Sequence, residues 1–228
     1  MRSIAALGLC LLLAIPSSLG AQTVEGGIAL YNRGRREEAK KVFEAHYRLG
    51  RILLTRSFRN EDEPIEHMER AVDIDPANAD YEYGLGAAYG LKAQDAGVLK
   101  QVFLAPKVKK AFERAVALNP RHIEARAGLA QYYFRAPGIM GGDVDEAWKQ
   151  ADTMITLDEV RGRAFKASLY ESEKKSREAE EEYKTLLAHQ PKKWQAWQAT
   201  GYYYQRMLKS DLGPEQRKNI EKKIKELE

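Results

Sequence analysis

Cysteine is nearly absent. The only one, Cys10, lies in the first segment of the 228-residue chain, so no thiol follows residue 21 and neither disulfides nor thiol chemistry is expected there. Histidine is scarce too: His46, His67, His122 and His189 are scattered, with no His-Glu-x-x-His pattern and no cysteine pair, so no metal site is expected. No Gly-x-Ser-x-Gly turn occurs, and no serine stands in a context that would activate it. Charge of one sign is also missing. The 37 Lys and Arg and 33 Asp and Glu are interspersed with a net charge of +4, so no basic block argues for a nucleic-acid partner. With 44% hydrophobic and 31% charged residues, what remains is the composition of an ordered protein.

The one long apolar run covers residues 4–15, after Met1 and Arg2. It falls short of the roughly 20 residues that a membrane-spanning helix needs. Pro16 breaks it, and small residues follow through Gly20 and Ala21. This is the layout of a secretory signal peptide. Residues 1–21 are therefore expected to be removed on export to a bacterial periplasm or the exterior, leaving no stable membrane insertion.

The rest is repetitive. ERAVDIDPANADYEYGLGAAY begins at Glu69, and ERAVALNPRHIEARAGLAQYY begins at Glu113. Counted from Pro76, Pro120 and Pro191, a small residue stands ten positions on (Gly86, Ala130, Gly201) and a tyrosine thirteen on (Tyr89, Tyr133, Tyr204). Such a fixed period marks an array of paired helices. Helix openings are predicted near Ala79, Ile123, Val160 and Trp194, with Pro64 in the first turn of an earlier helix and Gly34 between the helices of an incomplete first unit. Asp143 is placed to cap the helix containing Ala147 and Ala151. After Gly213, a charged helix with Ile220, Ile224 and Leu227 on one side reads as the array's terminal cap. The domain layout is thus 1–21, an array over 22–212 and a capping helix over 213–228. Residues 36–58 lack turn punctuation and read either as one long helix or as a unit that has lost its linker.

Two segments interrupt the period. Residues 91–106 are apolar at Val98, Leu99, Val102, Phe103 and Leu104, and read as an extended helix end packed against the array. Residues 135–143, RAPGIMGGD, read as a lengthened turn with Met140 tucked in. This loop follows a helix and carries no Lys-Ser/Thr pair, so it is not a phosphate-binding loop.

These offsets resemble the tetratricopeptide repeat (TPR), a 34-residue helix-turn-helix unit, over about residues 26–206. Its eighth position falls on Gly50, Gly86, Ala130, Ala167 and Gly201, and its twentieth on Ala39, Pro64, Val108, Ala147 and Ala179. The Ala-Pro-Gly-Ile-Met-Gly-Gly insertion resembles that of secreted bacterial repeat proteins. The resemblance implies an all-α fold, a right-handed α-α superhelix, whose concave side carries Tyr83, Ala87, Gly90, Glu124, Ala127, Gln131, Phe134, Arg161, Gln198 and Tyr202. It further implies a non-catalytic scaffold, without cofactor, that binds a peptide or protein. Tyr83, Gln131, Phe134, Arg161, Gln198 and Tyr202 are the expected contact residues, with Tyr133 and Tyr204 in the core. The Lys and Asn with which some of these repeats clamp a C-terminal carboxylate are missing. The alternative is a small-molecule or transporter-associated binding protein in which the two insertions close an apolar pocket.

Overall fold

The computed structural model describes residues 29–30, 33–35, 37–42, 44–45, 47, 63–210 and 212–227. Residues 1–21, read as a signal peptide from the sequence, and most of residues 36–58 lie outside these. The chain divides into two compact units, Met1–Pro76 and Ala77–Glu228.

In the first unit, Gly34 adopts the left-handed conformation at φ +76° and turns the chain into the helical stretch at 37–42. The turn is closed by the Arg35 amide donating to the Leu30 carbonyl. Leu30 and Ala39 are buried together, with Val42 and Ile74 against them. Helix α1, Glu63–Ile74, starts as its proline predicts. It buries Pro64, Met68 and Ala71, one stripe at helical spacing.

The second unit is a series of antiparallel helices: α2 (Ala79–Asp95), α3 (Val98–Leu118), α4 (Ile123–Arg135), α5 (Val144–Leu157), α6 (Glu159–Ser172), α7 (Ser176–His189), α8 (Trp194–Met207) and α9 (Pro214–Lys225). Side chains cap four of the openings that follow the sequence register. Asn78 accepts from the Asp80 and Tyr81 amides, Asp143 from Glu146, and Asp158 from Arg161. The buried His122 does the same for α4, its Nδ1 accepting from the Ala125 amide. Ala115, Ala130, Ala147, Ala167 and Ala179 are fully buried. These are the positions where helices come too close for a larger side chain. Between α2 and α4, the Phe112 ring wedges against Gly86 and Gly128, where a Cβ would fall within 2.8 Å of it.

At the far end, Tyr183 stacks on Tyr203 at 4.6 Å. Ile220 of α9 is buried in that cluster, with Ile224 and Leu227 packed beside it.

Two expectations are corrected. Val98, Leu99, Val102 and Phe103 do not pack against the array; they are exposed, because the face of α3 toward its neighbours is already filled by Ala105, Val108 and Phe112. Tyr204 lies in the core as expected, 5% exposed beside Tyr203, but Tyr133 does not: Tyr132 takes the buried place in its triplet. Tyr133 is half-buried, its hydroxyl donating to Glu113, and its pKa is pushed up to about 12 by burial and by that carboxylate.

Candidate functional site

Small side chains on the inner faces of α2 and α4 create the main cavity. Ala87, Gly90 and Ala127 stand where bulkier residues would fill the space between these helices and α6, and a volume of about 800 Å³ remains. Gly90 lies on its wall, with Val108 the nearest side chain to where its Cβ would be, 3.9 Å away. Phe112, Ile123, Met154 and Phe165 give the cavity apolar walls. This volume lies within the roughly 300–1,000 Å³ typical of ligand sites.

Polar groups are few. Gln94 and Gln131 are exposed at the cavity surface, and Gln101 donates to the Ala96 carbonyl at 3.0 Å. Arg161 reaches across from α6 to form an ion pair with Glu124 of α4, both about half exposed. Burial pushes the Glu124 carboxyl up, but the hydrogen bond and charge of Arg161 outweigh it and hold the group below its ordinary range. Arg135 lies on the rim without an ion-pair partner among the described residues.

The two insertions meet at this cavity. Leu91, Gln94, Gln101 and Ala105 contribute from the first, and Arg135, Pro137 and Met140 from the second. The second is held by a short 3-10 turn, Gly138–Met140, whose Met140 carbonyl accepts from the Tyr132 hydroxyl. Met140 is tucked in, as the sequence suggests.

Of the six expected contact residues, Tyr83, Gln131 and Arg161 line the cavity together. Phe134 does not: it is half-buried, edge-on to Trp148 at 6.4 Å. Gln198 and Tyr202 are paired on the exposed face of α8 at 3.4 Å and do not line the cavity either. Sequence reasoning missed Phe165, Met154 and Arg135 as wall and rim residues. It had no signal for them, because none of them is at a position that the repeat assigns to the concave side. Among the described residues no group of His, Cys, Asp and Glu could hold a metal ion, and no helix is long and apolar enough to cross a membrane. What this arrangement offers chemically is an apolar recess with amides and one ion pair at its edge.

Helices paired in this way, with small residues at their crossing points, define an all-α helical-repeat protein with the TPR-type solenoid fold. Solved structures bear this out. The TPR protein TTC0263 of Thermus thermophilus superposes with a TM-score of 0.57 at 21% identity, covering 79% of this chain and 96% of that one. The monomeric mutant of IFIT1 with Gppp-AAAA gives 0.53 at 16% identity, covering 93% of this chain, which spans 54% of that chain's length. No family model and no curated protein matches the chain.

Proposed function

We propose that this chain is a non-catalytic binding scaffold of the bacterial cell envelope, exported through residues 1–21, that holds a protein or peptide partner in its concave groove. The observation that carries the reading is the cavity. Seven positions that the repeat register assigns to the groove (Tyr83, Ala87, Gly90, Glu124, Ala127, Gln131 and Arg161) line one apolar recess. An apolar side chain of the partner fits the recess. The exposed Gln94 and Gln131 amides supply both donors and acceptors for its main chain. Export rests on the short apolar run ended by Pro16 and small residues.

A second reading, a small apolar molecule enclosed by the two insertions, is favoured by one observation: residues from both insertions line the recess. Native mass spectrometry of the protein purified from its own envelope separates the two. A small-molecule mass that leaves on denaturation supports the second reading, and a co-purifying polypeptide the first. Substituting Arg161→Ala is expected to weaken capture of that polypeptide by about 1–2 kcal/mol, roughly 5- to 30-fold, because Arg is enriched among the side chains that carry most of an interface's binding energy. Unchanged capture would remove Arg161 from the site.

A further inference from the structure

The first two turns of α3 carry an apolar face that the fold leaves in water. Val98, Leu99, Val102 and Phe103 are 72%, 80%, 47% and 75% exposed. Their spacing puts them on one side of the helix, away from the side where Val108, Ala111 and Ala115 are buried. These turns are an addition to the repeat. Helix α3 starts ten residues before Val108, whereas α5 and α7 start three before the equivalent Ala147 and Ala179. The extra seven residues extend the helix by roughly 10 Å at 1.5 Å each. Helix α2 is lengthened to match, running nine residues past Gly86, where α4 and α6 run five past Ala130 and Ala167. An added hairpin with four large apolar side chains in solvent marks an interaction surface.

The charges around it indicate what it meets. Residues 91–110 contain Lys92, Lys100, Lys107, Lys109 and Lys110 against a single acid, Asp95. Lys100 is exposed and without an ion pair among the described residues, and Lys107 lies over the Tyr89 ring at 5.0 Å. Lys109 is drawn toward Glu113 at 3.8 Å, and Lys110 lies near enough to Glu82 to oppose, without cancelling, the rise that burial gives its carboxyl. By helical position, Lys100 and Lys107 border the apolar face on one edge, and Lys110 continues it one turn further on. The face is a convex ridge rather than a recess, so it suits a surface that yields around it. Lysine stems can lie along that surface with their ammonium groups at its polar layer.

We infer that the α2–α3 hairpin docks this protein on an anionic lipid bilayer, with Val98, Leu99, Val102 and Phe103 in the interfacial layer and the surrounding lysines at the lipid phosphates. Short amphipathic segments bordered by lysine bind such surfaces by combining apolar burial with electrostatic attraction. Ile139, 95% exposed in the 3-10 turn after α4, is a further apolar side chain in solvent, on the other insertion. The inference stands apart from the groove, since none of the ridge side chains lines the cavity.

The test is co-sedimentation with vesicles of phosphatidylglycerol and phosphatidylethanolamine, against vesicles of phosphatidylcholine alone. Parent and variants share the same N-terminus, so differences between them read the hairpin. The parent is expected to partition onto the anionic vesicles about tenfold or more over the neutral ones, an advantage that salt diminishes. The variant V98S/L99S/V102S/F103S loses that binding with its melting temperature unchanged, and K100E/K107E weakens it. The emission of a Phe103→Trp variant shifts to the blue on anionic vesicles. Equal partitioning of parent and ridge variant, with no shift for Phe103→Trp, overturns the inference. So does light scattering that shows a parent oligomer dissociated by the ridge variant while vesicle binding stays unchanged, which would assign the face to a second copy. In every case partner capture by the groove is unaffected, so its failure would be seen separately.

Discussion

Helices α5 and α6 and helices α2 and α4 both meet through small residues, with opposite results. Between α5 and α6 the chain turns on a single residue, Asp158, which ends one helix and caps the next. The backbones then lie so close that a Cβ on Gly162 would fall 2.3 Å from the Ile155 amide nitrogen. Between α2 and α4, Ala87, Gly90 and Ala127 face an open recess. A small residue on a repeat helix therefore does one of two jobs, close approach or open space, and what stands opposite decides which. In the first case the residue holds the array together; in the second it leaves room for a ligand.

The largest difference is expected from adding a charge to each region. Ala179 is fully buried at its helix crossing. Ala179→Asp strands a carboxylate without a partner, and the loss should be on the order of a few kcal/mol or more. Ala127→Asp places the same group at the open cavity wall and should cost far less. Chemical denaturation of the two variants checks the contrast, and similar losses would mean that the cavity wall is as tightly packed as the crossing.

Adding one methyl group is the next test. Gly162→Ala drives a carbon into backbone and should destabilise by about 1–3 kcal/mol, as overpacking does. Gly90→Ala should stabilise by up to about 1 kcal/mol, because alanine is the better helix former and its Cβ meets only the ordinary contact with Val108. Melting temperatures on opposite sides of the parent are expected.

A smaller effect belongs to the ion pairs of the tight region. Glu159, at the start of α6, accepts hydrogen bonds from Gln190, Arg163 and His189, which hold its carboxyl down to about 2. The folded value lies below the ordinary one, so this contribution is present at neutral pH. It fades as pH falls from the ordinary carboxylate range toward about 2. Glu159→Gln should lower the melting temperature at pH 7 and flatten the acid limb of the stability curve. A variant whose acid limb matches that of the parent would assign the acid sensitivity to other carboxylates.

The same contrast explains what could be read in the sequence. Close approach repeats with the period, so the prolines and alanines located the openings of α2, α4 and α8 and the buried stripe through Ala147 and Ala179. Asp143 and Ile220 were legible for the same reason, each being a local signal. Open space is not periodic. The cavity results from small residues on two helices, Phe165 from a third and two insertions from elsewhere, and each alone looks like ordinary packing. The exposed ridge was misread because α3 is apolar on two faces, and spacing alone does not say which of them has a neighbour. His122 went unseen as a cap because histidine is not among the preferred capping residues.

The most direct test of the ligand site is to fill it. In the variant A87L/A127L, two leucines project into the cavity from walls that have room for them. Melting at or above the parent's temperature, together with loss of partner or ligand capture from the envelope extract, is the predicted result. Capture that survives with the cavity filled would contradict the assignment.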